Sequence, residues 1–436
     1  MERYIRITAI SHISIQFSRK CDTFDGEIQR SFPVCAGSRL QSFITLNETS
    51  MLADLIAGAR PNFMKIAPIT HAIRQAQQKG EEIRFRIIHT GQHYDRNMSD
   101  SFFEQLGIPK PDHNLGAGGG SQAGQTAAIM TGYEKLLEAG PRPDICIVVG
   151  DVTSTMACSI TAKKRGIRVA HVEGGIRSHD WTMPEEINRV VTDSISDYFF
   201  TTSEVANRNL AGEGVPPDRI FFVGNTMIDT LHAQLPYLKE PQLFADTGLQ
   251  KQHYFVMTLH RPANVDQEQT LKTLIENIMA NTGGEPVLFP AHPRTRAILD
   301  RLGIAHANLH TTEPLGYLEF IWLVRHARAV ITDSGGITEE TTVLGVPCLT
   351  LRDNTERPET VTMGTNELIG TDPQAIAPAL KQLMEGKWKE GKVPEKWDGN
   401  TSGRIVQVLL ELHRDGRLGP LKPYRDDSLL FRPGTS

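Results

Sequence analysis

The chain has 436 residues, which is enough for two domains that each bury a core of their own. Its net charge of −5 at pH 7 gives no footprint for binding a polyanion, so nucleic acid is not an expected partner. No apolar run is long enough to span a bilayer, so a membrane is not expected as a partner either. The five scattered cysteines form neither metal-type pairs nor a disulfide framework, which predicts reduced thiols in a cytoplasmic protein.

Residues 1–50 lack the hydrophobic periodicity and the glycine and proline punctuation that organise the rest of the chain. We predict that the folded part begins at Met51. The preceding stretch is then either a disordered extension or the result of a start codon assigned upstream of the true one. Both hypotheses predict that deletion of residues 1–50 leaves a soluble, active protein.

From Met51 onward, apolar strand-like runs alternate with amphipathic helical stretches. A first series places strands near 52–57, 82–89, 145–149, 167–172, 197–201 and 221–223. A second series places strands near 254–257, 286–289, 329–332 and 347–351. Several runs are almost continuously apolar, as expected for parallel strands covered on both faces. The alternation predicts the α/β class, with two Rossmann-like, doubly wound domains.

The alternation is interrupted near 225–250, where Pro236 and Pro241 fall in a stretch of mixed charge. We therefore predict an N-terminal domain at 51–230 and a C-terminal domain at 231–400. Residues 401–436 are predicted to form a helix that packs back on the N-terminal domain, followed by a polar tail.

Acidic, basic and small residues concentrate where the predicted strands end, which is where open α/β sheets bind ligands. The first series places there Arg60, Gln92, His93, Asp151 and Glu173. The second series places there His260, Arg261, His292, the turn at 334–336 and Asp353. A further segment, 184–189, adds Glu185, Glu186 and Arg189.

Each of these positions also has a structural explanation. Asp151 fits a helix N-cap. Glu185 suits the first turn of a helix, where it could form an i,i+4 ion pair with Arg189. An isolated His260 or His292 is compatible with a structural histidine. These explanations do not account for the gathering of such groups at one edge of both sheets.

The stretch 331–340 runs from an apolar strand through Ser334, Gly335 and Gly336 into a predicted helix that ends near Gly345. A small-residue turn before a helix presents free N–H groups and the positive end of the helix dipole, which suit a phosphate. Glu340 lies about one and a half turns into this helix, where it could reach ribose hydroxyl groups.

Two facing domains with carboxylates on one rim and a phosphate site on the other predict a sugar nucleotide in the cleft. The second domain would hold the nucleoside diphosphate with residues 334–336, Arg357 and Glu340. No GxGxxG run follows a strand with the expected downstream acid, which disfavours a dehydrogenase. The histidines, cysteines and acids, including His171 and Cys158, show no metal-ligand spacing, so neither a metal nor a cofactor is expected.

Seven motifs, in order, resemble those of the bacterial non-hydrolysing UDP-N-acetylglucosamine 2-epimerases. They are GARPNFMKIAP (58–68), GDVTST (150–155), HVEGGIR (171–177), MPEEINR (183–189), GNTMID (224–229), TDSGGI (332–337) and RDNTERPE (352–359). The resemblance extends from about Met51 to about Val406. It implies a GT-B-like fold with the active site in the interdomain cleft, usually in a homodimer.

The resemblance also implies interconversion of UDP-GlcNAc and UDP-ManNAc for cell-surface polysaccharide. The reaction would be anti elimination of UDP to 2-acetamidoglucal, followed by re-addition. Because the C2 hydrogen is poorly acidic, this chemistry needs a positioned carboxylate base and stabilisation of the departing diphosphate. The motifs do not decide which carboxylate removes that proton.

Matching the motifs position by position assigns roles to individual residues. The catalytic positions are Asp151, Glu173, Glu185 and His260. The UDP-contact positions are Arg60, Lys65, Phe320, Ser334, Gly335, Gly336, Glu340 and Arg357. The supporting positions in the cleft are Arg189 and His292.

The chain departs from the family pattern in three places. Ala59 and Asn62 replace the threonine and glutamate of many members. Residues 261–264 read Arg-Pro-Ala-Asn, where members often have Arg-Arg-Glu after the catalytic histidine. Residues 92–95 read Gln-His-Tyr-Asp and lack an arginine of a known allosteric site, so allosteric activation by UDP-GlcNAc is not expected.

Other functions remain open at this point. They are a hydrolysing relative that releases UDP and free ManNAc, an epimerase of a modified UDP-aminosugar, a GT-B glycosyltransferase and a nucleotide-sugar-binding regulator. No basic amphipathic stretch supplies an acceptor groove for the glycosyltransferase. A regulator would not need three acids near an anionic ligand.

Overall fold

A computed structural model describes residues 50–91, 106–265, 267–291 and 293–421 of the chain. For Arg60, Pro262, Ala263, Pro293 and Arg294 it describes the backbone alone. The predictions made for residues 1–49, for 92–95, for His292 and for the tail after Leu421 lie outside the described residues.

Strands and helices alternate along the described chain. The strands are β1 (Met51–Ala57), β2 (Ile83–His89), β3 (His113–Asn114), β4 (Ile145–Val149), β5 (Arg168–Val172), β6 (Tyr198–Thr201), β7 (Ile220–Phe222), β8 (Phe255–Thr258), β9 (Val287–Pro290), β10 (Leu309–Thr312), β11 (Ala329–Thr332), β12 (Cys348–Thr350) and β13 (Asn366–Leu368). The helices are α1 (Arg60–Gln78), α2 (Gln122–Ala139), α3 (Thr153–Lys164), α4 (Pro184–Ile195), α5 (Glu204–Gly212), α6 (Thr226–Gln234), α7 (Gln242–Asp246), α8 (Pro262–Val265), α9 (Glu268–Asn281), α10 (Pro293–Arg301), α11 (Tyr317–His326), α12 (Gly335–Leu344), α13 (Pro358–Thr362), α14 (Ile376–Met384) and α15 (Thr401–Arg414).

The strands form two parallel sheets. The first has seven strands in the order β3-β2-β1-β4-β5-β6-β7, and the second has six in the order β10-β9-β8-β11-β12-β13. Each sheet therefore has the strand order of a Rossmann fold, in which the chain starts at a central strand and winds outward in both directions. The predicted α/β class with two doubly wound sheets is confirmed.

Each sheet has a point at which its strand order reverses, and loops separate there to form a ligand-binding crevice. In the first sheet this point lies between β1 and β4, which are followed by residues 58–59 and 150–151. In the second sheet it lies between β8 and β11, which are followed by His260 and Asp333. The topology thus directs the motif residues of both sheets into two crevices.

Apolar side chains cover both faces of each sheet. All seven residues of β1 are buried, and α1 packs over one face of the first sheet while α2 and α3 cover the other. In the second sheet α9 and α14 cover one face, and α11 covers the other. Full coverage explains why these strands are continuous apolar runs rather than alternating ones.

The last helix, α15, packs in the core of the first sheet although it follows the second sheet in the chain. Ile405, Leu409 and Leu410 pack in one cluster with Ile66 and Ile69 of α1. Burial of each such side chain is worth about 2 kcal/mol. The domain boundaries at 230 and 400 stay predictions.

Three strands, β3, β10 and β13, are not among those predicted from the sequence. All three lie at an edge of their sheet, and each contains at least one partly exposed residue. An edge strand needs less apolar surface than a central one, so its sequence carries a weaker signal. None of the helices in the described ranges is both long and apolar enough to cross a membrane.

Candidate active site

The edge of the first sheet is organised around the start of α1. Asn62 accepts a hydrogen bond from the Ala59 N–H (3.0 Å) and donates one to the carbonyl of Val149 (2.8 Å). The side chain therefore ties the end of β4 to the turn after β1. A carboxylate cannot donate a hydrogen bond to a carbonyl, so the asparagine suits this geometry better than the glutamate of many resembling chains.

Four buried charged side chains connect the two sheets. Lys65 of α1 donates to Glu173 after β5 (2.6 Å), and Arg357 also contacts Glu173 (Nη2 to Oε2, 3.4 Å). Arg357 follows β12, and its Nε donates to Glu339 of α12. Burial and the charge of Glu173 raise the pKa of Glu339, although Arg357 opposes the increase. Carboxylates of the first sheet thus lie beside α12 of the second.

Glu173 has an unusual backbone. Its φ of +71° lies in the left-handed region, which is rare for a residue other than glycine and is often found at functional sites. Its N–H donates to the carbonyl of Phe200 (2.9 Å), which holds the carboxyl end of β5 against β6. Its Oε1 is buried without a hydrogen-bond partner among the described residues. The side chain therefore has an acceptor left for a further group.

Helix α4 holds Asp151. Arg189 donates to the Asp151 carboxylate (2.6 Å), and Asn188 donates to the Asp151 carbonyl (2.8 Å). Arg189 is itself fixed by Glu186 (2.9 Å), which lies three residues earlier in the helix. The N-cap alternative for Asp151 is wrong, because α3 begins at Thr153 with Val152 in the cap position.

Glu185 lies outside this buried network. Its side chain is exposed, and its negative charge interacts with the guanidinium of Arg261, which follows β8. The alternative i,i+4 pair with Arg189 is wrong, because Arg189 pairs with Asp151 and Glu186 instead. Glu185 therefore faces the second sheet across the cleft from the exposed side of α4.

His260 forms a dyad with Asp333 across the crevice of the second sheet. The His260 Nδ1 lies 2.7 Å from Asp333 Oδ1, while the ring remains 60% exposed. Asp333 also accepts from the Arg261 N–H (2.9 Å) and from Asn264 (3.0 Å). Burial raises the pKa of the Asp333 carboxyl, but the bonds from His260 and Asn264 outweigh it and hold the pKa below its usual value. An ionised Asp333 keeps a proton on His260 Nδ1 and directs Nε2 away from it.

Cationic groups surround the N-terminus of α12. Ser334, in the N-cap position, makes no side-chain hydrogen bond to the first turn of this helix. A Cβ added to Gly335 would lie 2.9 Å from Glu356 Oε1 and 3.6 Å from Arg352 Nη1, a buried nitrogen without a hydrogen-bond partner among the described residues. Glu356 itself pairs with Arg352 Nη2 (2.6 Å). Arg261 donates to the Asp333 carbonyl (3.1 Å), and burial together with the charge of Arg352 lowers the pKa of its guanidinium. These groups can bind an anionic ligand at the start of α12.

Glu340 is buried and accepts a hydrogen bond from the Tyr317 hydroxyl (2.9 Å). Burial raises the pKa of this carboxyl to about 8, and the neighbouring Glu339 adds to the effect. Phe320 is half-buried on α11, the same helix as Tyr317, and packs against the apolar cluster under β11. Tyr317 and Phe320 therefore lie beside α12, on the side where α11 packs.

The structure brings most of the predicted site residues together. Asp151, Glu173, Lys65 and Arg189 lie at the first sheet, and His260, Ser334, Gly335, Gly336, Glu340 and Arg357 lie at the second. The sequence interpretation gave no role to Asp333, Glu339 or Arg352, and it named Glu186 only as one of the acids of segment 184–189. Glu186, Asp333 and Arg352 lie within the recognised motifs, which was the available signal, whereas Glu339 lies two residues beyond the TDSGGI motif. No group of three histidine, cysteine or acidic residues in the described ranges is close enough to hold a metal ion.

The sequence profile of the UDP-N-acetylglucosamine 2-epimerase family matches residues 75–410, more than half of the chain. The UDP-N-acetylglucosamine 2-epimerase of Methanocaldococcus jannaschii is 40% identical over 369 residues, which cover 82% of this chain and 99% of that protein. A UDP-2,3-diacetamido-2,3-dideoxy-D-glucuronate 2-epimerase of Pseudomonas aeruginosa is 39% identical over 363 residues, covering 82% of this chain and 99% of that protein.

A crystal structure extends the similarity to the fold. The M. jannaschii enzyme in complex with UDP-GlcNAc and UDP superposes with a TM-score of 0.72, and the match covers 83% of this chain and all 100% of that one. The fold is accordingly GT-B-like, with the site in the cleft between the two sheets. Both the motifs and the fold therefore lead to the same conclusion: the chain belongs to the UDP-N-acetylglucosamine 2-epimerase family.

Proposed function

We propose that the protein is a non-hydrolysing epimerase that interconverts UDP-GlcNAc and UDP-ManNAc for cell-surface polysaccharide. The observation that carries the proposal is the contact of Glu173 with Arg357 (3.4 Å). This contact puts an acid–base group of the first sheet beside the anion-binding end of α12. An elimination that removes a proton and expels a diphosphate needs these two features next to each other.

UDP would bind at the second sheet. The backbone N–H groups of Ser334, Gly335 and Gly336 and the guanidinium groups around them would take the diphosphate. Glu340 would take the ribose hydroxyl groups. Arg60, Lys65, Phe320 and Arg357 are assigned to UDP contacts as the resemblance implies, and His292 is assigned a supporting role in the cleft. Lys65 has a second function in this scheme, because its ammonium also contacts the Glu173 carboxylate (2.6 Å) and so fixes its position.

The sugar would face the first sheet, where Asp151, Glu173 and Glu185 supply the acid–base groups. A carboxylate takes the C2 proton, the C1–O bond breaks, and its electrons leave with UDP while the C1=C2 bond of 2-acetamidoglucal forms. Return of a proton to the opposite face of C2 and attack of UDP on C1 then give the epimer. Because the two faces of C2 must both be reached, more than one acid–base group is required.

His260 would act on the departing diphosphate. Its Nδ1 is committed to Asp333 (2.7 Å), so Nε2 is the nitrogen that can donate to a phosphate oxygen or accept from it. Arg189 would support the reaction indirectly by orienting Asp151.

The test is proton NMR of the purified protein with UDP-GlcNAc in D₂O. We expect UDP-ManNAc to form with deuterium at C2. Free ManNAc with UDP would assign the protein to the hydrolysing relatives instead. If the protein binds UDP but leaves UDP-GlcNAc unchanged, UDP-GlcNAc is not its substrate.

A modified UDP-aminosugar is the second candidate substrate. The Pseudomonas epimerase of a diacetamido sugar is almost as similar to this chain as the methanogen enzyme, at 39% against 40% identity. The same deuterium assay with UDP-2,3-diacetamido sugars separates the two candidates. A higher kcat/KM for the diacetamido substrate would favour the second.

The resemblance also supports a cytoplasmic homodimer, which we include in the proposal. The described cysteines Cys146, Cys158 and Cys348 are free and buried, which is compatible with a reducing compartment. Light scattering coupled to size-exclusion chromatography would give the mass in solution. A mass of one chain at micromolar concentration would contradict the dimer.

A further inference from the structure

His171 of β5 is fully buried, and each of its ring nitrogens faces an acceptor. Nδ1 lies 2.6 Å from Asp193 Oδ1 on α4, and Nε2 lies 2.8 Å from the carbonyl oxygen of Gly150 after β4. A carbonyl oxygen can only accept a hydrogen bond, and so can an ionised carboxylate. Both contacts are therefore hydrogen bonds only if both nitrogens of the ring carry a hydrogen.

The partners of Asp193 agree with its ionised form. Its Oδ2 accepts from the Gly175 N–H (2.9 Å) and from Arg177 Nη1 (2.7 Å). Burial raises the pKa of this carboxyl, but the charges and bonds of His171 and Arg177 outweigh burial and bring the pKa below its usual value. Arg177 in turn pairs with Glu213, so a charged His171 leaves the chain of four groups neutral.

These contacts connect the two loops that carry the carboxylates. Gly150 immediately precedes Asp151, and Glu173 follows His171 by two residues along the chain. Asp193 also fixes the Gly175 N–H, within the loop after Glu173. This loop is tightly packed, because a Cβ added to Gly175 would lie 2.5 Å from the carbonyl of Ala206. One imidazole and one carboxylate thus hold both loops.

We propose that His171, with a hydrogen on both ring nitrogens, is a positioning residue that fixes Asp151 and Glu173 relative to each other. The proposal rests on the proposed epimerase function, and it adds a group that touches neither the sugar nor UDP. A displacement of about 1 Å of a catalytic group is enough to slow an enzyme substantially. The ring therefore acts on turnover through the backbone of Gly150 and through the loop after Glu173.

The first test is nitrogen-15 NMR of the enzyme labelled at histidine, at neutral pH. We expect one histidine with protons on both ring nitrogens, and His171→Gln should remove its signals. A His171 spectrum with one protonated nitrogen would overturn the proposal. This measurement needs no substrate, so it stands even if the enzyme does not epimerise UDP-GlcNAc.

The second test compares two buried aspartates. Asp193→Asn removes the charge that faces His171, and we expect kcat to fall at least about 10-fold with little change in the affinity for UDP. Asp54→Asn is the matched control. It breaks a buried pair with Arg86 (2.7 Å) on β1 and β2 that contacts neither loop.

Both variants should lower the melting temperature, but only Asp193→Asn should lower kcat per folded enzyme. An unchanged kcat for folded Asp193→Asn would reduce His171 and Asp193 to a stabilising role and overturn the proposal. If the wild-type enzyme produces no deuterated epimer at all, the proposed function fails, while the state of His171 remains measurable.

Discussion

The two edges of the cleft are built in opposite ways. At the first sheet, Asp151 is held by its neighbours, chiefly Arg189 and Asn188. At the second sheet, Nη1 of Arg352 and Nη1 of Arg357 are buried without a hydrogen-bond partner among the described residues, although both arginines also pair with Glu356. The first turn of α12 receives no cap from Ser334. One edge is organised in advance for acid–base chemistry, and the other keeps donors available for an anion. Binding and turnover should therefore be separable by mutation.

The strongest test of the binding edge is Ser334→Trp. The indole would fill the space in front of the first turn of α12, so we expect no detectable UDP binding by isothermal titration calorimetry. Ser121→Trp is the matched control, because Ser121 is also an N-cap, on α2 of the first sheet. Unchanged UDP affinity in the Ser334 variant would show that the phosphate binds elsewhere.

The corresponding test of the chemical edge is Asp151→Asn. We expect kcat to fall by at least about 10²-fold, the usual scale for loss of an acid–base group, while UDP affinity is retained. Asp246→Asn, an exposed change on α7, serves as the control. Near-normal turnover would remove Asp151 from the mechanism. Loss of UDP binding instead would mean that the two edges are not separable.

A smaller effect is expected for Asp333→Asn, which alters the support of His260 and leaves the first sheet intact. The amide no longer favours a proton on His260 Nδ1, so the ring loses its fixed tautomer. We expect kcat to fall about 10-fold, with a shift in the pH–rate profile. Asp372→Asn, an exposed change between β13 and α14, is the control for removal of a carboxylate charge away from His260. An unchanged pH–rate profile would show that His260 takes no part in the reaction.

The smallest effect concerns stability. The pKa of Glu340 is raised from its ordinary 4.5 to about 8 in the folded protein, so the folded state holds this proton more strongly than the unfolded state. Its contribution to stability is therefore present below about pH 4.5 and is lost as the pH rises towards 8. Glu340→Gln cannot lose a proton, and it keeps an acceptor for the Tyr317 hydroxyl.

We expect the melting temperature of Glu340→Gln to exceed that of the wild type increasingly as the pH rises from about 5 to about 8, and the difference to level off above that pH. The corresponding difference in unfolding free energy is a few kcal/mol at most. Differential scanning calorimetry across this range would measure the difference. Exposed Glu276→Gln on α9 is the control. A constant difference at every pH would contradict the assignment of a protonated Glu340.

The sequence predicted the parts of the site that depend on local order. Asp151 and Ser334 follow central strands, so the rule that ligands bind at strand ends was sufficient to select them. The start of α12 at Gly335 and its end before Gly345 also follow from local signals, since Gly345 adopts the left-handed conformation of a helix C-cap.

What the sequence could not supply are contacts between distant segments. Arg357 and Glu173 are 184 residues apart in the chain, and His171 and Asp193 are 22 apart. His171 was discounted because it lacked metal-ligand spacing, yet its contacts are with a carbonyl and a carboxylate. Asp333 received no role from the sequence although it lies in the TDSGGI motif, because nothing in its own segment indicates that it contacts His260.

The position of α15 has a consequence for dividing the protein into parts. Asp229, which lies at the end of the first series, accepts from the backbone N–H groups of Thr401 (2.9 Å) and Ser402 (2.7 Å) and so caps this helix. A fragment that stops at residue 230 would leave the apolar face of α1 uncovered. A fragment that starts at residue 231 would carry α15 without its capping carboxylate. In a split enzyme or a chimaera of two relatives, residues 401–414 should therefore be kept together with the first sheet.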